Sequence, residues 1–165
     1  MNIDETDLEI LAALRNDARL SNRSLADRVG LAPSSSLQRV RRLQLSGLLG
    51  PAHAEIDFAA MGFGLQAMVS VKLERHSRQA VEAFRDYVLG LDPVMSVYHV
   101  AGATDFLVHV LARDSDHLRD IAMEAFTSRA EVAHIETSII FELRRNWTLP
   151  DRHSDRNRES QPVGE

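Results

Sequence analysis

The chain has 165 residues, of which 44% are hydrophobic and 26% charged, a composition typical of a folded protein with one or two small domains. Its formal net charge of -5 excludes a uniformly basic coat for nucleic acid but leaves room for a local basic surface. The absence of cysteine excludes disulfides, thiol catalysis and cysteine-based zinc modules, and it fits a reducing compartment.

The start of the chain predicts a cytoplasmic protein. The opening sequence MNIDETDLEI is acidic where a signal peptide is basic. No apolar run approaches the roughly 18 residues that a membrane-spanning helix needs. We therefore expect no membrane partner.

Three short helices are predicted within residues 1–50. Each has a residue that can cap or open it: Asp4 or Thr6, then Ser21 or Asn22, then Pro33. The second and third helices are joined by a glycine-containing turn at residues 30–32. This is the pattern of a helix-turn-helix.

The third predicted helix is the candidate nucleic-acid contact, because residues 21–50 hold five arginines against one aspartate. A solvated basic face is the alternative explanation. The apolar side chains of the helix repeat every three residues and are expected to face a small core: Leu37, Val40 and Leu43. Serine and glutamine can approach base edges, and arginine can reach guanine or phosphate. The predicted DNA-binding residues are Ser34, Ser35, Ser36, Gln38, Arg39, Arg41 and Arg42, with Ser36 nearer the core.

Residues 51–64 are predicted to form a connecting strand and a linker. The strand would run from about Leu49 to Ile56 and be interrupted by Pro51. Residues 62–67 formally match a glycine-rich dinucleotide motif, but a strand-like segment follows where that motif needs a helix. We therefore expect no cofactor.

Residues 65–145 predict an antiparallel sheet with two helices on one face. The expected order is a strand from Gln66, a helix over 77–90, strands over 94–100 and 106–112, a helix capped by Asp114 or Ser115, and a strand from Val132 to about Phe141. This βαββαβ order is the ferredoxin-like split unit, so the fold class is α+β. Residues 146–165 are charged and lack apolar periodicity, which predicts disorder, with Trp147 fixing the start of the segment to a folded domain.

The sheet face opposite the helices is expected to be covered as well. Alternate positions of the second strand, which share one face, hold Met95, Val97, His99 and Ala101. The last strand has apolar residues on both of its faces. Such a surface is best covered by a second copy of the domain.

The turn at residues 102–105 is the candidate ligand site. Glycine lets a small molecule approach the backbone, Thr104 and Asp105 supply directional polar groups, and turn N–H groups can hold a carboxylate. An amino acid carries both matching charges. The alternative is that Gly102 serves only the turn and Asp105 bonds only its own backbone.

No catalytic or metal site is predicted. His99, His109 and His134 lie on predicted strands without the close spacing of a metal site. The sequence lacks a nucleophile elbow and a phosphate-cradling lysine loop, so we do not expect an enzyme, including an enzyme of ferredoxin-like fold.

The chain resembles the Lrp/AsnC family of transcriptional regulators over about residues 3–145. The resemblance rests on the order and spacing of segments 4–14, 17–19, 25–31, 37–43, 46–49 and 102–106. One departure is Ala32, where the family usually has a serine that caps the recognition helix.

The resemblance implies a winged helix-turn-helix DNA-binding domain at 1–50, joined through 51–64 to a ferredoxin-like effector-binding and oligomerisation domain at 65–145. It also implies dimers that assemble further, often to octamers, with an amino-acid pocket between neighbouring dimers. By position, the effector-binding residues are Val100, Ala101, Gly102, Thr104 and Asp105, completed by His134 and Thr137. The expected function is sequence-specific binding of double-stranded DNA under control of an amino acid. The alternative is a metabolite-binding protein whose N-terminal bundle makes protein contacts only.

Overall fold

The computed structural model describes residues 2–75 and 77–150, so most of the segment predicted to be disordered, 151–165, lies outside the described residues. The described residues form two compact units. One contains residues 2–54 and 145–150, and the other contains residues 55–144.

The first unit contains three helices, α1 (Glu5–Asn16), α2 (Asn22–Arg28) and α3 (Pro33–Leu45). Asp4 caps α1 and Ser21 caps α2, and each side chain accepts a hydrogen bond from a backbone N–H in the first turn. The predicted helix starts are therefore confirmed. Ala32 precedes α3 and provides no side-chain cap.

A small apolar core holds the three helices together. Its fully or almost fully buried members are Ile10, Ala13, Leu25 and Leu43, with Val29, Leu31 and Val40 packed against them. The prediction for Leu37 is wrong, because its side chain is 39% exposed. A three-residue repeat falls short of the 3.6-residue turn, so the stripe drifts around the helix over six residues. Ser36 occupies the inward position instead.

The connecting strand predicted before Gly64 does not form. Residues 50–57 have no regular secondary structure, and residues 58–62 form a turn that includes Gly62 at φ +92°. Pro51 lacks a backbone donor, and no described strand pairs with this segment. The glycines at 62 and 64 lead into a strand rather than a helix, as the sequence indicated.

The second unit has the predicted βαββαβ order. Its elements are β1 (Leu65–Leu73), α4 (Arg78–Leu89), β2 (Val94–His99), β3 (Phe106–Ala112), α5 (Ser115–Ile121) with a π-helical turn at Ala122–Thr127, and β4 (Val132–Ile140). The strands lie in the order β2-β3-β1-β4, and every neighbouring pair is antiparallel. Ser77 caps α4 and Asp114 caps α5.

The core of the second unit lies between one sheet face and the helices. Val69 on β1 stands opposite Val108 on β3, and both are fully buried. The two central strands contribute Ala67, Val69, Val71, Leu73, Phe106, Val108 and Val110, and the helical segments contribute Phe84, Val88, Leu118 and Phe126. The alternation of β1 is therefore confirmed.

The prediction for β2 placed two residues, Val97 and His99, on the wrong face of the sheet. Val97 pairs with Val108 and His99 pairs with Phe106, so both lie on the helix-covered face. A bulge between Val94 and Ser96 shifts the alternation at this point. The face opposite the helices instead presents Met68, Tyr98, Leu107 and Ile140, together with Leu111, which is buried. Over residues 2–75 and 77–150, no helix has the length and apolar character needed to cross a membrane.

Candidate functional site

The outward face of α3 is a continuous polar stripe. Ser34, Gln38 and Arg41 are separated by four and three residues, which places them on one side of a helix, and all three are exposed. Among the described residues, the Arg41 side chain forms no hydrogen bond or ion pair. Leu45 continues the same stripe and is 90% exposed.

A shallow open depression runs along this face of α3. It is lined by Leu31, Ser34, Ser35, Leu37, Gln38, Arg39, Arg41, Arg42, Leu45 and Ser46. The structure therefore brings together six of the seven residues predicted to bind DNA. Ser36 is the exception, because it is fully buried and its Oγ has no hydrogen-bond partner among the described residues.

Arg39 and Arg42 are held by acidic residues at the start of α1. Arg39 Nη1 donates to both carboxylate oxygens of Asp4, at 2.8 and 2.7 Å, and to Asp7 Oδ1 at 2.8 Å. Arg42 Nη2 donates to Asp7 Oδ2. The sequence predicts that both arginines face outward, whereas in the structure each has a partner on α1.

The acidic pair that receives these arginines is itself ordered by the cap of α1. Asp7 N–H donates to Asp4 Oδ1, and Asp4 N–H donates to Asp7 Oδ2, which is a reciprocal capping box. The hydrogen bond from Arg39 lowers the pKa of Asp4 below its usual value. The pKa of Arg39 rises because of its hydrogen bonds to Asp4 and then Asp7. Both groups therefore stay charged.

The predicted effector loop lies between β2 and β3. Val100 N–H donates to the carbonyl oxygen of Asp105 at 2.9 Å, which closes the loop. Gly102 has φ +141°, a conformation that favours glycine, and the space where a side chain would stand is open. The loop thus brings together Val100, Ala101, Gly102, Thr104 and Asp105.

The Asp105 carboxylate has a structural partner in β1. Its Oδ2 accepts a hydrogen bond from Leu73 N–H at 2.8 Å, and Asp105 N–H donates to the carbonyl oxygen of Val71 at 2.9 Å. Leu73 lies where the pairing of β1 with β4 shifts register. Asp105 therefore links the loop to the central strand β1 through two hydrogen bonds.

One chain does not bring His134 and Thr137 onto the same face. His134 pairs with Lys72 and Thr137 pairs with Val69, so they point to opposite faces of β4. The other histidines also diverge. The His99 ring stacks on Phe106, whereas His109 Nε2 bonds to Gln66 Oε1 on the opposite face. Within the described part of the chain, no group of three or more His, Asp or Glu residues is placed to hold a metal.

A second depression in this unit was not foreseen from the sequence. It is lined by Glu74, Arg75, Ala80, Ala130 and Glu131, and none of the predicted effector residues contributes to it. Burial acts to raise the pKa of Glu131, but the hydrogen bond from Arg129 lowers it overall. Arg129 also lies 3.9 Å from the centre of the Tyr87 ring, so these groups are already paired.

Comparison with known proteins gives the same two parts. The winged helix-turn-helix DNA-binding family model matches residues 3–49, and the Lrp/AsnC ligand binding domain model matches residues 66–146. The transcriptional regulator AldR of Mycolicibacterium smegmatis is 44% identical over 141 residues, which cover 86% of this chain and 82% of AldR.

Solved structures agree with this relationship. The crystal structure of MtbAldR is 38% identical, with a TM-score of 0.69, and the match covers 89% of this chain and 99% of that one. The complex of regulator NMB0573 with L-Met from Neisseria meningitidis is 28% identical, with a TM-score of 0.83, and the match covers 92% and 99%. These relatives are transcriptional regulators rather than enzymes, and they favour DNA binding over a bundle that makes protein contacts only. The chain belongs to the Lrp/AsnC family of DNA-binding transcriptional regulators.

Proposed function

We propose that this regulator recognises specific DNA sequences through the outward face of α3 and that an amino acid controls it. The main support for DNA binding is the exposed stripe of Ser34, Gln38 and Arg41. Among the described residues, no protein group occupies these side chains by a hydrogen bond or an ion pair. Glutamine can pair with adenine and arginine with guanine through two hydrogen bonds each. The stripe thus has the donors and acceptors that major-groove recognition needs.

The other predicted contacts divide into two groups. Ser35 and Arg42 flank the stripe and are exposed, so they are suited to phosphate contacts. Ser36 is fully buried, and Arg39 is paired with Asp4 and Asp7. The DNA-contacting set that we propose is therefore Ser34, Ser35, Gln38, Arg41 and Arg42.

The proposed effector site is the loop between β2 and β3. The backbone N–H groups of residues 101–104 make no backbone hydrogen bonds among the described residues, so they can receive a carboxylate. Gly102 leaves the backbone open, and Thr104 is half-buried beside it. The related regulator from Neisseria meningitidis was crystallised with L-Met, which supports an amino acid as the class of effector.

A second copy of the chain would complete this site. His134 and Thr137 face opposite sides of β4, so within one chain they cannot both meet the same ligand. The apolar residues on the uncovered sheet face favour pairing of copies through this unit. We propose a dimer that assembles further, to an octamer, and that acts in the cytoplasm. Several recognition helices along one DNA would add to the avidity of weak contacts.

The DNA proposal can be tested by selecting duplexes from a random-sequence pool with the full chain. Gel shifts with the selected duplex should show strong loss of affinity for Gln38→Ala and Arg41→Ala. Gln44→Ala is the matched control, because Gln44 is on the same helix but outside the stripe. Equal affinity of all variants would contradict the role of the stripe.

The effector proposal needs a separate measurement. The full chain is melted in the presence of each of the twenty amino acids, since a ligand that binds the folded state raises the melting temperature. We expect at least one amino acid to raise it, and Gly102→Val to abolish that rise. No shift with any amino acid would contradict this effector class.

A further inference from the structure

The ion pairs between α1 and α3 hold the recognition helix at one side. Asp7 is fully buried, and its two oxygens contact Arg39 and Arg42, which lie about one turn apart on α3. Asp4 adds a second carboxylate to Arg39. Two guanidinium groups are thereby fixed to one rigid point, the capped first turn of α1.

Apolar contacts alone determine the rotation of α3 about its axis only weakly. Leu43 is fully buried and Val40 is partly buried, whereas the third inward position is occupied by Ser36. Leu37, the other large apolar side chain in this part of the helix, is 39% exposed. An apolar stripe this narrow leaves the rotation of a helix about its own axis poorly determined, since core-facing helices usually present a stripe at least 100° wide.

Small rotations of α3 would matter for base recognition. A side-chain tip lies about 6 Å from the axis of a helix, so a rotation of roughly 20° moves it by about 2 Å. Hydrogen bonds tolerate changes of only a few tenths of an ångström around their optimal length. A residue that fixes the rotation of α3 therefore affects which bases Gln38 and Arg41 can read.

We propose that Asp7, assisted by Asp4, is a positioning residue for sequence recognition. It contacts no nucleic acid, and it acts through Arg39 and Arg42 to set the rotation of α3. This inference rests on the proposed function, because it requires that α3 reads bases. Asp4 and Asp7 would thus contribute to DNA recognition, although their negative charge by itself disfavours contact with DNA.

The test compares base discrimination in the full chain and in single variants. The dissociation constant is measured for the duplex selected by the wild type and for duplexes with one base pair changed at each position. A good base contact discriminates by roughly tenfold to a hundredfold. We expect Asp7→Asn to bring the discrimination between duplexes close to onefold while DNA binding remains steeply salt-dependent, because the arginines of α3 keep their charges.

Two further variants make the test specific to positioning. Arg39→Lys keeps the positive charge with a less rigid donor geometry, so we expect it to retain an intermediate part of the discrimination. Glu9→Gln removes one negative charge from an exposed position on α1 and should behave as the wild type.

The possible outcomes separate the two proposals. A wild type with no preferred duplex would contradict the proposed function. The positioning role would be overturned if the wild type clearly prefers the selected duplex and a folded Asp7→Asn variant discriminates between the selected and changed duplexes equally well. If Asp7→Asn does not fold, Asp4→Asn decides, because its side chain is 52% exposed and asparagine retains the cap. Weaker discrimination between the selected and changed duplexes in Asp4→Asn would support the inference, and unchanged discrimination would overturn it.

Discussion

Asp7 Oδ1 lies 2.8 Å from Arg39 Nη1, although 32 residues separate the two in the chain. The carboxylate is fully buried, and the Arg39 side chain is 28% exposed. This pair joins α1 to α3 at the base of the proposed DNA-binding surface. The charge of the arginine-rich helix is therefore partly neutralised by the acidic residues of α1. Arg41 is the outward arginine of α3 that has no partner within residues 2–75 and 77–150.

Removal of Arg39 should destabilise the helical unit. Arg39→Ala leaves the buried Asp7 with Arg42 alone, and we expect a loss of about 1–3 kcal/mol in the free energy of unfolding, since Arg42 still compensates part of the charge. Urea unfolding can be followed by the fluorescence of Trp147, the single tryptophan, which belongs to the same unit. Arg41→Ala is the control and should change stability by less than about 0.5 kcal/mol. Equal unfolding midpoints for the two variants would rule out this role for Arg39.

The Asp4 interaction should depend on pH. The pKa of Asp4 in the folded state is below its usual value of 3.8, so its charged form stabilises the fold above that value. This contribution is lost as the pH falls through the folded-state pKa. We expect the melting temperature of Asp4→Asn to be below that of the wild type at pH 6 and the difference to shrink below about pH 4. A difference independent of pH would show that the charge is not responsible.

A cap added to α3 should stabilise the helical unit. Ala32 has the extended backbone of an N-cap residue but no side-chain acceptor. Ala32→Ser should raise the free energy of unfolding by about 1 kcal/mol, because the hydroxyl can accept from a free N–H in the first turn. Ala32→Val, which adds volume without an acceptor, is the matched control. Equal changes in the free energy of unfolding for Ala32→Ser and Ala32→Val would show that the hydroxyl does not cap α3.

Two substitutions can separate the structural and ligand-binding roles of Asp105. Asp105→Ala removes the acceptor for Leu73 N–H and should cost about 1–3 kcal/mol in the stability of the sheet unit. Asp105→Asn retains an acceptor oxygen and should keep most of that stability. If Asp105 also meets the positive charge of an amino acid, Asp105→Asn should abolish the ligand-induced rise in melting temperature. A full rise in Asp105→Asn would limit the residue to its structural role.

Local features of this fold were predictable from the sequence, because they depend on neighbouring residues. Asp4, Ser21 and Asp114 were each identified as possible caps, and each forms the expected hydrogen bond. The alternation of β1 likewise reports directly on which side chains are buried.

Features that depend on distant contacts were not predictable. The pairing of Arg39 with Asp4 and Asp7 joins residues more than thirty positions apart, and nothing in the spacing of α3 indicates it. The bulge in β2 that reassigns Val97 and His99 depends on pairing with β3. The sequence predicted that His134 and Thr137 belong to the same effector site as the loop, but the register of β4 places their side chains on opposite faces of the strand.

The salt dependence of DNA binding tests most directly the central claim that the outward face of α3 meets DNA. Log K for the selected duplex is measured against log salt concentration for the wild type, for Arg41→Gln, and for Arg85→Gln, a control on α4 in the other unit. If Arg41 contacts phosphate, the slope should fall by about one for each recognition helix engaged, and if it reads guanine, discrimination at one base pair should be lost. Arg85→Gln should match the wild type. An Arg41→Gln protein with unchanged slope and unchanged base preference would contradict the account.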